Sequence, residues 1–222
     1  SGTLGFLGTS TGTFARNFTN DTDGTVFFAG TSKGTFSSVF SNSGVVDLKN
    51  ASSQIKFDGN FTNNLGGTVT LPDSSGASVS FGTGTATFSN KGTVNSSGLC
   101  TVAFANTDTV VDGGTWIYTG GTTPGEVILT KISYKILILR GNLEVPGNLT
   151  AEDILVETDS LKIQGKISSE QVSLNTDNPI ELGSDENIDS KKIVLLKNAK
   201  FNLNGHELFF GKAGEASLIS NA

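Results

Sequence analysis

One seven-residue unit returns along the chain. Phe14-Ala15-Arg16-Asn17-Phe18-Thr19-Asn20 is followed by the close copies Phe36-Ser37-Ser38-Val39-Phe40-Ser41-Asn42 and Phe57-Asp58-Gly59-Asn60-Phe61-Thr62-Asn63. The paired phenylalanines recur about every 21 to 22 residues, and each copy soon leads into Gly and Val, in Gly24-Thr25-Val26, Gly44-Val45-Val46 and Gly67-Thr68-Val69. A fixed period of this length marks a solenoid, because one copy cannot bury its own apolar face and must stack on the next.

From Ser1 to about Gly125 the text is rich in Gly, Thr, Ser, Asn and Phe. Short alternating runs such as Thr25-Val26-Phe27-Phe28 and Ser78-Val79-Ser80-Phe81 are broken by Gly, Asn and Asp. These are strand and turn signals, with no helical period sustained over ten residues. The repeat goes on through Phe88-Ser89-Asn90 and Phe104-Ala105-Asn106, which predicts an aromatic column Phe18, Phe40, Phe61, Phe88, Phe104 with gaps of 22, 21, 27 and 16 residues. Uneven gaps are accommodated when the strands are fixed and one turn per coil varies. Stacked coils place like residues ~4.8 Å apart, so rings stack inside and Asn amides bond along a turn. Asn also tolerates the left-handed conformation of a sharp corner.

Near Thr122-Thr123-Pro124-Gly125 the composition shifts to Ile, Leu, Val, Lys and Glu, while a period survives. Ile136, Ile138, Leu143, Val145 and Gly147 match Ile154, Val156, Leu161, Ile163 and Gly165 at an offset of 18. Two further copies follow, at Val172, Leu174, Ile180, Leu182, Gly183 and at Ile193, Leu195, Phe201, Leu203, Gly205. Alternation puts the apolar residues on one face and polar residues on the other. A left-handed hexapeptide helix needs an aliphatic residue every six positions, which is not seen. A leucine-rich repeat needs a Leu/Asn consensus that is missing, and an antiparallel sandwich gives no constant offset. The expected fold is therefore an all-β, right-handed parallel β-helix of roughly ten coils. Phe/Asn/Gly-rich coils would fill 1–125, and Ile/Leu/Val-rich coils of the same continuous solenoid 126–222.

The four coils from Ile136 to Gly205 resemble the haemagglutinin-type repeat of bacterial surface β-helices, the autotransporter passengers and filamentous-haemagglutinin-like adhesins. Phe14 to Asn17 and Phe61 to Asn64, the latter followed by Gly66-Gly67-Thr68-Val69, are similar to repeats of chlamydial polymorphic outer-membrane proteins. Thr68 stands where that family's companion motif has Ala. The resemblance implies an extracellular adhesin or structural stalk at the bacterial cell surface or outer membrane, part of a longer secreted protein. Its partner would be a host-cell surface receptor or an extracellular glycan or matrix. The absence of Met at position 1 reads as a processed or excised piece.

Composition bears on the chemistry. A net charge of −6, with only Arg16 and Arg140 as arginines, argues against nucleic acid. No apolar run approaches the ~18 residues of a membrane helix, so this segment is expected to be soluble, without membrane insertion. Cys100 and His206 are single, which excludes a Cys/His zinc site and leaves Cys100 a small buried residue. Asn106-Thr107-Asp108 and Asn175-Thr176-Asp177 resemble the Asn-Thr-Asp signature of polygalacturonases. An inverting hydrolase needs a second carboxylate ~6.5–9.5 Å away, and that family's other motifs are missing, Gly205-His206-Glu207 being the nearest approach. Asp21-Thr22-Asp23-Gly24, beside Arg16, reads as a polar turn, since the rest of a calcium loop is lacking. Glu152-Asp153 and Asp185-Glu186 read as solvated loop residues. The six Asn-x-Ser/Thr sequons are no more than composition supplies. Trp116 and Tyr118 are expected to be buried, the rival reading being an exposed sugar platform. No catalytic, cofactor or metal residues are expected, and the chain is read as a non-enzyme. The alternatives are a self-assembling surface layer or fibre, associating through open solenoid ends, and a polysaccharide lyase or hydrolase.

Overall fold

The computed structural model describes residues 2–52, 54–106, 110–122, 124–127, 132–183, 186–206, 208–210 and 217–220. They form an all-β parallel solenoid of about nine turns, close to the roughly ten expected, with no helix among the described residues. The chain forms two compact units, residues 1–115 with 130–132, and 116–129 with 133–222.

In the first unit each coil is three short strands. The first holds β1 (Thr3–Phe6), β2 (Thr11–Phe14) and β3 (Phe18–Asn20); the second β4 (Thr25–Phe28), β5 (Lys33–Phe36) and β6 (Phe40–Asn42). The third holds β7 (Val45–Asp47), β8 (Gln54–Phe57) and β9 (Phe61–Asn63); the fourth β10 (Thr68–Thr70), β11 (Ser78–Phe81) and β12 (Phe88–Asn90). The fifth is β13 (Thr93–Ser96), β14 (Thr101–Phe104) and β15 (Val110–Asp112). Each strand pairs in parallel with the strand three places on, giving three sheets. The repeat sets the register: Leu4, Val26, Val46, Val69 and Val94 align in the first sheet.

Phenylalanines fill the interior in columns. Phe14, Phe36, Phe57, Phe81 and Phe104 stack through the second sheet at centroid spacings of 4.7, 5.1, 5.3 and 5.5 Å. Phe18, Phe40, Phe61 and Phe88 stack through the third at 5.2, 5.3 and 5.5 Å. Rings of the two columns meet edge to face, as Phe57 and Phe61 do at 4.7 Å, the geometry that ring quadrupoles favour. The structure corrects the predicted Phe18 column at its last member. Phe104 aligns with Phe81, and Val110 takes the place below Phe88. The 16-residue gap arose from counting across two different strands.

The asparagines close the corner after the third sheet. Asn20, Asn42, Asn63 and Asn90 are buried, and each Nδ2 donates to the Oδ1 of the next rung, at 2.8, 2.8 and 2.9 Å. Each of the first three Nδ2 groups also donates to two backbone carbonyls, such as Gly67 O and Thr93 O for Asn63. The ladder ends on Asp112, whose Oδ1 accepts from Asn90 Nδ2 at 2.7 Å. These side chains do not serve as left-handed corners, contrary to the expectation. Among the described residues the one non-glycine with positive φ is Asn204, at 49°. The glycine two to four residues after each rung is needed for close approach: a Cβ on Gly92 would overlap the carbonyl oxygens of Gly67 and Asn64.

The second unit contains β16 (Thr115–Thr119), β17 (Gly125–Glu126), β18 (Ser133–Val145), β19 (Leu149–Ile163), β20 (Ile167–Leu174), β21 (Pro179–Leu182), β22 (Glu186–Leu195), β23 (Lys200–Asn202), β24 (Leu208–Phe210) and β25 (Ser217–Ser220). Strands β18, β19, β20 and β22 lie side by side in parallel, with β21 pairing β19 and β23. Aliphatic columns replace the rings: Leu139, Val156 and Leu174 align, as do Val145, Ile163 and Leu182. The offset of 18 expected between the first two copies fails in one place. Leu137 and Leu139, not Ile136 and Ile138, align with Ile154 and Val156, and the register shifts between Gly141 and Asn142. Ile136 is accordingly exposed, while Leu137 is buried.

Candidate binding groove

A groove of about 540 Å³ crosses four neighbouring strands of the second unit. Its floor follows one register column. Tyr134, Ala151, Ser169 and Ser190 align on β18, β19, β20 and β22, and the last three line the groove. Tyr134 is large and buried, its hydroxyl 3.2 Å from that of Tyr118, whereas the next three residues are small. Ser190 Oγ donates to Lys192 O at 2.9 Å, and the Ser169 and Ser190 hydroxyls lie 3.1 Å apart.

The walls are the residues on either side of that column, which point outward as strand geometry dictates. One wall is Ser133, Thr150, Ser168 and Asp189, aligned coil by coil. The other is Glu152, Glu170 and Lys191, one residue after the floor. Ion pairs brace these positions: Lys135 with Glu152, Lys191 Nζ with Glu170 Oε2 at 2.7 Å, and Lys166 Nζ with Asp189 Oδ2 at 3.0 Å. Glu152 and Asp153 therefore do not sit in a loop, as their paired charge suggested, but within β19. Two successive exposed residues there mark a break in the alternation. Of the other acidic pair, Glu186 begins β22 and Asp185 lies outside the described residues.

The residues weighed for chemistry scatter. Thr107, Asp108 and Glu207 lie outside the described residues. Asn175, Thr176 and Asp177 tie one turn to its neighbours. Asn175 Nδ2 donates to Glu157 Oε1 at 3.0 Å, and Thr176 Oγ1 to Thr158 O at 2.8 Å. Asp177 accepts from Asn198 N at 3.3 Å and pairs with Lys197 at 3.7 Å. Asp21 O accepts from Gly24 N at 2.8 Å in a tight turn with exposed Asp21 and Asp23. His206 N donates to Leu203 O at 2.7 Å in another. Cys100 is buried, and that desolvation pushes its thiol up to about 11, far from the thiolate a nucleophile needs. Trp116 and Tyr118 are fully buried, which removes the sugar platform. Among the described residues no cluster of three His, Cys, Asp or Glu could hold a metal, and no helix is long and apolar enough to cross a membrane.

Further along β18 and β19, Arg140 Nε donates to Glu157 Oε2 at 2.9 Å. The hydrogen bonds from Arg140 and Asn175 hold the Glu157 carboxyl below its ordinary value of 4.5. A carboxylate with a lowered folded value contributes stability above its unfolded value and loses it as pH falls through the folded one. The pair is partly solvated, so Glu157→Gln is expected to cost under about 1 kcal/mol at pH 7. That difference should begin to shrink as pH falls towards the ordinary value of 4.5 and vanish only below the lowered folded value, as read by urea unfolding of both proteins across pH.

The fold and groove define a parallel β-solenoid with a polar cleft across its coils. Comparison with protein-family models, curated proteins and solved structures gives no match.

Proposed function

We propose that this chain is a non-catalytic part of an extracellular adhesin, a solenoid that presents binding surface to a host-cell receptor or an extracellular glycan or matrix. The observation that carries the reading is where the repeat is spent. Its Phe, Asn and Gly residues face their counterparts in the next coil and are used up in stacking, the amide ladder and close turns. Outward positions vary freely: Thr13, Thr35, Lys56, Ser80 and Ala103 share one column. A constant interior with a variable exterior suits a scaffold whose turns and outer faces do the binding. The resemblance to bacterial surface β-helices supports the same reading and a cell-surface location.

The test is attachment of beads coated with the chain to host cells and immobilised glycans, against beads carrying an unrelated β-solenoid. Saturable attachment above the control is expected. Attachment equal to the control would overturn the adhesin reading and leave a structural segment.

A further inference from the structure

We infer that the groove across β18, β19, β20 and β22 is a binding site for a neutral polysaccharide strand laid across the coils. Its use in attachment rests on the adhesin reading; its chemistry does not. All four coils place a hydroxyl or carboxylate on the Ser133 wall, and the last three add a charged group on the Glu170 wall. Four coils make three steps of ~4.8 Å, about 14 Å of regularly spaced polar groups. A polymer with hydroxyls at regular intervals matches that offer.

Other ligand classes fit less well. A peptide adding to a sheet needs a free strand edge, and one laid in a groove needs apolar pockets. The floor strands are already paired on both sides at β19 and β20, and the walls carry Ser, Thr and charged residues. Among the described lining residues an anionic polymer meets Glu152, Glu170 and Asp189 against the single cation Lys191. A cationic one finds those three carboxylates already paired with lysines. A paired carboxylate keeps lone-pair sites for further hydrogen bonds, and serine and threonine hydroxyls both donate and accept. Neutral sugar hydroxyls use both capacities without disturbing the ion pairs. Among the described residues no aromatic ring lines the groove, so contact is by hydrogen bonds, each of modest net worth in water. Single-site affinity is weak, and many copies on a surface supply avidity.

The experiment is calorimetric titration of the 222-residue chain with hexamers of β-1,4-linked glucose, β-1,4-linked N-acetylglucosamine and α-1,4-linked glucose. Hexagalacturonate and hexalysine serve as charged controls. Ser168→Tyr fills the groove from a central coil, Glu170→Gln removes one charge at constant shape, and Thr35→Tyr is a remote control. Thermal unfolding confirms that each variant folds. At least one neutral hexamer is expected to bind, with affinity changing less than about twofold between 0.05 and 0.5 M NaCl, because no net charge is neutralised. Ser168→Tyr should weaken it at least about tenfold and Glu170→Gln about threefold, with Thr35→Tyr silent. The proposal is overturned if no neutral hexamer binds, if folded Ser168→Tyr binds as well as the parent, or if hexalysine alone binds, which would mark a cationic-peptide surface. Bead attachment separates the two readings. Attachment that survives Ser168→Tyr sinks the groove and keeps the adhesin. Hexamer binding without attachment keeps the groove and sinks the adhesin.

Discussion

Phe61→Ala is expected to lower stability by about 3–5 kcal/mol, the range for a fully buried ring cut back to a methyl. Phe61 is wholly buried and touches rings on every side. It stacks on Phe40 at 5.3 Å and Phe88 at 5.5 Å, and meets Phe57 and Phe81 edge to face at 4.7 and 5.0 Å. Those neighbours belong to strands whose register is set by backbone pairing above and below, so they cannot move in to fill the hole. Partial collapse is what makes some cavities cheap, and here it is blocked. Phe27, which points outward from β4 and is only half-buried, is the control. Phe27→Ala should cost about 1 kcal/mol. Because solenoids unfold in pieces, the loss should also appear locally, as faster amide exchange in β6, β9 and β12 than in β18 and β19. Equal costs for the two alanines would mean that the stacked column is not what holds these coils.

The ring and amide columns were legible in the sequence because an inward position in a stacked coil repeats its residue type. Phe36, Phe57 and Asn42, Asn63 could hardly lie elsewhere. Phe104 was misplaced because turn lengths differ: the 27 residues from Phe61 to Phe88 include a long turn, and the next 16 run to a different strand of the following coil. The slip at Ile136 has another cause. Ile136-Leu137-Ile138-Leu139 has no polar alternation, so pattern cannot say which face is inward. The register shift at Gly141/Asn142 decides it. The backbone is crowded at that point: a Cβ on Gly120 would overlap the backbone of Asn142, and one on Gly141 the carbonyl oxygen of Gly120.

The groove left a fainter trace. Its floor, Ala151, Ser169 and Ser190, is a recurrence of small residues at one inward position among Ile, Leu and Val. Glu152-Asp153 interrupts the alternation beside it. In sequence both features look like the start of a loop, because two adjacent polar residues usually leave a strand. Only pairing on both sides of β19 shows that the strand continues through the bend and that the charges form a wall.

The ladder gives the sharpest test of how the corner is held, because one isosteric exchange should have very different effects on two of its rungs. Asn63→Asp removes the Nδ2 donor that serves Asn90 Oδ1, Gly67 O and Thr93 O, and sets a buried negative charge against those three oxygens. The bond accepted from Asn42 Nδ2 survives and offsets little. An uncompensated charge at a fully buried site is expected to cost at least about 4 kcal/mol near pH 7. Such a carboxyl has a raised folded value, so the penalty is complete above that value. It fades as pH falls towards the unfolded value of about 3.9, where the neutral acid replaces one lost donor. Asp112→Asn, at the last rung, should behave differently. Asp112 Oδ1 accepts from Asn90 Nδ2 at 2.7 Å and Gly114 N at 3.4 Å, and an amide oxygen can take over both of these roles. The cost is the difference between a charged and a neutral acceptor, about 1 kcal/mol. Urea unfolding of the two variants at pH 7 and pH 4 measures both. Similar small losses would mean that the amide ladder is decorative, and that glycine close approach and ring stacking hold the corner without it.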